Sequence, residues 1–171
     1  EPIPKMYFDK SLKNFRISNL NQKIKNLKNF GVDFVVIKKF DKKFSKITSH
    51  NFIKDILYKN LKAKYIFVSN NFRFGNKREG TVSQLIKNQK VFKFKIINPK
   101  PLMLKKKVIS STLIRKLLSD GKIKYVNKLL ARNWSIVSKV QKGRKMGKRI
   151  GFPTCNLDIK DYVIAKPGVY A

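Results

Sequence analysis

The sequence predicts an α/β fold with a mainly parallel sheet, followed by the start of a β-rich module. Short apolar runs at 32–37 and 65–68 read as strands buried on both faces, and capped amphipathic helices alternate with them. From Trp134 onward the helical period stops and residues alternate in the manner of strands. The boundaries drawn on this pattern are 1–121 for the α/β domain, 122–133 for a connecting helix and linker, and 134–171 for the β module.

The first helix is predicted over 15–29, with Ser18 as its cap, Leu20, Ile24 and Leu27 on one face and Gly31 as its stop. The strand at 32–37 follows. Thr48 or Ser49 caps a second helix whose apolar face is Phe52, Ile53, Ile56 and Leu57, and His50 in its first turn reads as a surface or capping residue. After the strand at 65–68 comes a polar, glycine-containing loop at 69–80, which lies where open parallel sheets bind ligands. Thr81 caps a helix to Asn88, 91–97 alternates as a strand, and 105–109 is a strand feeding a helix that runs to Ser119. Gly121 ends that helix, 123–130 forms one more, and 135–141 and 154–159 are strands flanking a basic loop with three glycines.

At 171 residues with 42% hydrophobic content, the chain can hold one ordinary domain or two small ones. It starts at Glu1 without a methionine and stops in what reads as a strand, so we expect a fragment. No apolar run approaches the roughly 18 residues of a membrane span and no signal pattern precedes Pro2, so a soluble cytoplasmic protein is the expectation. A single cysteine, Cys155, and a single histidine exclude an internal disulfide and a Cys/His zinc set, leaving oxygen ligands for any metal. The formal charge of +32 would fit a polyanion partner, but the basic residues are mostly lysines spread along the whole chain. Lys, Asn, Ile and Phe share A/T-rich codons, so we attribute the excess to genome composition and do not expect a nucleic-acid partner.

Three stretches carry chemistry. Ser110, Ser111 and Thr112 open a helix and Arg115 follows about a turn later, an arrangement suited to a phosphate or equally to a capping cluster with a surface arginine. Asn71-Phe72-Arg73-Phe74-Gly75 sets two aromatics and an arginine at a strand's carboxyl end, either to stack a planar ligand or to anchor the loop in the core. In GRKMGKRIGFPTCN, 143–156, glycines permit close backbone approach to phosphates and Lys145, Lys148 and Arg149 supply charge. Thr154 and Asn156 then project to one side of a strand as two oxygen ligands suited to Mg²⁺ beside a nucleotide, though a basic surface turn has the same composition.

Taken together, FRFG at 72–75, ISSTLIR at 109–115, GFPTCN at 151–156 and GVYA at 168–171 resemble the bacterial bifunctional riboflavin kinase/FAD synthetase family over essentially the whole chain. The resemblance implies a Rossmann-like nucleotidyltransferase domain that joins FMN to the AMP of ATP, then a β-barrel that phosphorylates riboflavin to FMN. It implies that Ser110, Ser111, Thr112 and Arg115 hold ATP phosphates, and that Pro2, Pro4, Asn71 and Phe74 border the flavin. In the kinase it implies nucleotide binding by Gly147, Gly151, Pro153 and Thr154, with Thr154 and Asn156 on Mg²⁺. ATP, Mg²⁺ and the flavins riboflavin, FMN and FAD are thus the implied cofactor and substrates, without a membrane partner.

The chain departs from the family at Ile3, where a histidine is usual between Pro2 and Pro4, at Ser69 in place of a glycine, and at Cys155 in place of an alanine. No catalytic residue is assigned among the 171: the family's H-x-G-H histidines are expected before Glu1 and the kinase's glutamate beyond Ala171. A different adenylyltransferase shares ISSTxIR but not the PTxN pattern, and a non-catalytic basic nucleic-acid module is the alternative from another class.

Overall fold

Local caps set most of the helices in the computed structural model, which describes residues 1–143 and 146–170. The helices are α1 (Pro4–Phe8), α2 (Leu20–Asn29), α3 (Lys42–Ser45), α4 (Ser49–Asn51), α5 (Val82–Phe92), α6 (Ser111–Ser119), α7 (Ile123–Leu130) and α8 (Met146–Arg149). The strands are β1 (Tyr65–Phe67), β2 (Arg73–Phe74), β3 (Gly80–Thr81), β4 (Lys95–Ile97), β5 (Met103–Leu104), β6 (Lys107–Val108), β7 (Val140–Gln141) and β8 (Asn156–Leu157). A π-helical stretch, Phe52–Asn60, continues directly from α4. No described helix is long and apolar enough to cross a membrane.

Helix α2 starts later than the sequence predicts, with Asn19 rather than Ser18 as its cap. The Gln22 N–H donates to the Asn19 side chain at 2.8 Å while the Asn19 N–H donates to Gln22 Oε1 at 3.0 Å. This reciprocal pair satisfies two amides at once, which a lone serine cannot do. Gly31, at φ +78°, ends the helix as predicted, because the Val32 N–H must reach back to the Leu27 carbonyl. Thr48, Thr81 and Ser110 each cap the helix that follows through a side-chain oxygen. Asp41 does the same for α3, and the Phe44 N–H on its carboxylate holds that carboxyl below the usual range.

Contacts divide the chain into two compact units. The first comprises Glu1–Tyr7 and Lys38–Met103. Its buried core is Ile53, Leu57, Phe74, Leu85, Phe92 and Phe94, with Ile66 and Ile96 packed against it. Strands β1 and β4 run parallel in the register Tyr65↔Lys95, Ile66↔Ile96 and Phe67↔Ile97. This pair is the parallel sheet of the α/β fold. Helix α5 runs past Asn88 to Phe92, so the strand predicted from residue 91 begins only at Lys95. Phe92 lies two helical turns beyond Leu85 and enters the same core, which holds the extra turn in the helix.

The second unit comprises Phe8–Ile37 and the chain from Leu104 on. Helices α6 and α7 bury Ile114, Leu117, Leu118 and Val126 together with Val163, and Ile17 and Trp134 pack on them. The Trp134 indole N–H donates to the Ile17 carbonyl at 2.9 Å, and the Val163 N–H to the Arg16 carbonyl at 2.8 Å. The unit therefore takes residues from both sides of the predicted boundaries at 121 and 134. Strands β7 and β8 pair antiparallel, Val140↔Leu157 and Gln141↔Asn156. They are shorter than the predicted 135–141 and 154–159.

Residues 32–37 are not in a strand. They lie in this second unit without a described ladder partner, and Phe34 and Val36 are 88% and 72% exposed. A strand exists only where its N–H and C=O groups meet another strand, so apolar continuity alone could not make one here.

Candidate functional site

The start of α6 is built by Ser110. Its backbone is extended, and its Oγ accepts from the Leu113 N–H at 3.2 Å while its carbonyl accepts from the Ile114 N–H at 3.0 Å. Capping uses an oxygen lone pair and leaves the hydroxyl hydrogen available to donate. Ser111 and Thr112 follow, both exposed, on a first turn whose remaining amides suit an anion.

The Arg115 side chain is anchored on Phe15. Its guanidinium lies 3.7 Å over the Phe15 ring and its Nε donates to the Phe15 carbonyl at 2.8 Å. Burial lowers its pKa from the ordinary arginine value, and the group stays charged at neutral pH. The terminal nitrogens, free of bonds among the described residues, are what it can offer a ligand. Phe15 is the residue that sequence reasoning missed. An aromatic one hundred positions upstream carries no local signal of this contact.

In the first unit, the 71–75 loop is tied to the core. The ring of Phe74 is 6% exposed, stacked on Phe72 at 5.5 Å and 5.2 Å from Phe52. Of the two readings of this loop, core anchoring describes the Phe74 ring, which is not an open stacking face. Gly75 is at φ +75°, and a Cβ there would stand 2.7 Å from the Ser49 nitrogen. A Cβ on Gly80 would meet the Phe74 ring at 2.6 Å. Glu79 accepts from the Ser49 N–H at 2.6 Å, closing the loop against the start of α4. Asn71 stays exposed and its Oδ1 accepts from the Ser69 hydroxyl at 2.8 Å, which leaves its amide nitrogen to donate. Pro4 opens α1 and is exposed, and Pro2 is half-buried, in this same unit. His50 is exposed, with its ring edge-on to Phe92 at 6.1 Å.

The 143–156 loop brings part of its predicted set together. A cleft of about 160 Å³ is lined by Gly143, Lys148, Pro153, Thr154 and Asn156. Gly147 packs beside the cleft residue Thr154: a Cβ there would strike the Phe152 backbone oxygen and come within 3.2 Å of Thr154 Oγ1. A Cβ on Gly143 would run into the Asn156 amide. Gly151, at φ +83°, makes the turn after α8 without lining the cleft. Arg149 is exposed and does not line the cleft, Cys155 is a free exposed thiol, and Arg144, Lys145 and Ala171 lie outside the described residues. Among the described residues no three His, Cys, Asp or Glu side chains gather as a metal set. The cleft thus offers two neutral oxygen donors to a hard cation that arrives with its own anionic ligands, and one ammonium to those anions.

Comparison with known proteins gives two family matches in order. Residues 1–113 match the FAD synthetase family and residues 130–171 match the riboflavin kinase family. The bifunctional riboflavin kinase/FMN adenylyltransferase of Buchnera aphidicola subsp. Schizaphis graminum is 37% identical over 172 residues, covering 100% of this chain and 55% of that protein. The Escherichia coli K12 protein of the same name is 35% identical over 171 residues, again covering 100% of the chain and 55% of the relative. The chain therefore spans about half the length of the curated relatives it matches. Among solved structures, a Streptococcus pneumoniae protein described as a macrolide-efflux protein superposes with a TM-score of 0.75 at 30% identity, over 90% of this chain and 49% of that one.

Proposed function

The chain belongs to the FAD synthetase family, and on that premise we propose that the protein works in flavin cofactor biosynthesis, adenylylating FMN to FAD with ATP and phosphorylating riboflavin to FMN. The observation that carries this reading is the succession of an FAD synthetase match and a riboflavin kinase match in one chain, with the cleft-lining Thr154 and Asn156 falling inside the second.

In the adenylyl step, the hydroxyls of Ser110, Ser111 and Thr112 and the first-turn amides of α6 receive the ATP phosphates. Arg115, held on Phe15, adds fixed positive charge from its terminal nitrogens. Pro2, Pro4, Asn71 and Phe74 border the flavin, with Asn71 offering its amide and Phe74 supporting the loop from the core. We propose domain limits of 1–121 and 134–171, joined through 122–133, beside family matches that cover 1–113 and 130–171.

In the kinase step, residues 134–171 form the start of a β-barrel. Gly147, Gly151 and Pro153 shape the loop over the nucleotide, and Lys148 neutralises phosphate charge. Thr154 and Asn156 would hold Mg²⁺ together with ATP oxygens. The ion, when bound, neutralises charge on the transferring phosphoryl group. Both reactions are displacements at phosphorus, so positioning and charge neutralisation carry the catalysis.

The test is chromatographic. The full-length protein given riboflavin, ATP and Mg²⁺ is expected to accumulate FMN and then FAD, and failure to consume riboflavin or FMN overturns the reading. The 171-residue chain contains one histidine, His50, and so no H-x-G-H segment. Alone it is expected to make no detectable FAD.

A further inference from the structure

A second ligand site is indicated at the amino ends of β1 and β4, the end of the parallel pair opposite the 71–75 loop. Residues 58–64 and 92–93 meet there, where the π-helical stretch and α5 both finish. Open α/β sheets take their substrates at the carboxyl ends of strands, so this place is separate from the site proposed above. It holds a cleft of about 370 Å³, the size of a small-molecule pocket.

One side of the cleft is aromatic. Tyr58 and Phe92 pack edge-to-face at 5.5 Å, and Phe92 is buried while Tyr58 is 43% exposed and presents ring surface. The rest is cationic: Lys59, Lys62, Lys64 and Lys93 line it, and no carboxylate does. Asp55 stands 3.3 Å from Lys59, but the other three lysines make no ion pair among the described residues. A lysine at a helix carboxyl end is ordinary, since it complements the dipole. Four of them around one cleft exceed that need and repel one another, a cost that a bound anion relieves. A planar group on Tyr58 with a phosphate among the lysines satisfies both halves of the lining.

We infer that this cleft binds a nucleotide unit, its base against Tyr58 and its phosphate among Lys62, Lys64 and Lys93. The unit is either a free mononucleotide or one residue of a single strand. The inference does not rest on the flavin reading.

The full-length protein is titrated with uridine 5′-monophosphate, a pyrimidine nucleotide chosen to avoid the ATP sites, while backbone amide shifts are followed by NMR. Shifts confined to 58–64 and 92–93, with weaker binding of uridine or inorganic phosphate alone, are the expected result. Lys62→Glu with Lys93→Glu, both exposed, should weaken binding by at least about tenfold. Tyr58→Ala should weaken it by roughly tenfold, and Tyr58→Phe should retain it. A short oligouridylate bound more tightly than its nucleotide count explains assigns the ligand to single-stranded nucleic acid, and equal binding per nucleotide assigns it to the free nucleotide. No shift at these residues, or shifts spread over every lysine-rich face and reproduced by phosphate alone, overturns the inference.

Discussion

The 71–80 loop of the first unit and the 143–156 loop of the second are built from the same kinds of residue, yet they do opposite things. Each combines glycines, basic side chains and aromatic rings near a short strand. In the first, Phe74 turns inward onto Phe52 with Phe72 stacked on it, and Gly75 is pressed against Ser49. In the second, Phe152 is 75% exposed and the polar Thr154 and Asn156 surround an open cleft. The first loop lies over a core of six buried residues, whereas the second lies beside a ladder whose two strands are exposed throughout. An aromatic ring anchors a loop only when a core is within its reach. Without one, the loop's polar atoms remain open to a ligand.

Stability measurements test this contrast most strongly. Phe74→Ala should cost about 3–5 kcal/mol in denaturant unfolding, since it empties a packed site, while Phe152→Ala should cost under about 0.5 kcal/mol. Equal losses would erase the distinction between the loops. Next in size is the kinase loop's chemistry: Asn156→Ala in the full-length enzyme should reduce riboflavin phosphorylation about 100-fold, worth about 2.7 kcal/mol, with unchanged thermal unfolding. An unfolding shift as large as the kinetic loss would make Asn156 structural. The smallest effect belongs to the start of α6. Ser110→Ala should cost about 1 kcal/mol of stability through the lost cap. Ser110→Asp should keep the cap and still impair FAD formation by repelling phosphate, and normal FAD formation by that variant would separate Ser110 from the ATP site.

The same division shows in what could be read from residue order. Ile123–Leu130 and the end of α6 at Ser119 lie where the apolar period places them, and Thr48, Thr81 and Ser110 cap as their hydroxyls suggest. The cleft at Thr154 and Asn156 was legible too, because both residues and the glycines around them lie within one short loop. By contrast, Arg115 on Phe15 and the Tyr58–Phe92 cleft were not legible, and for Phe74 residue order left core anchoring and ligand stacking both open. Each depends on residues brought from separate segments of the chain.

The two apolar runs make the limit plain. Residues 65–68 and 32–37 look alike as sequence, but β1 finds β4 across the Ile66↔Ile96 pair, and residues 32–37 find no described partner. Residue order alone sufficed for the caps at Thr48, Thr81 and Ser110, the stop at Gly31 and the family motifs, because a cap closes hydrogen bonds within three or four residues. Which apolar run became a strand, and which aromatic ring became core, was set by contacts between distant segments. Those outcomes require a second segment to supply the missing hydrogen bonds or the surface to pack against.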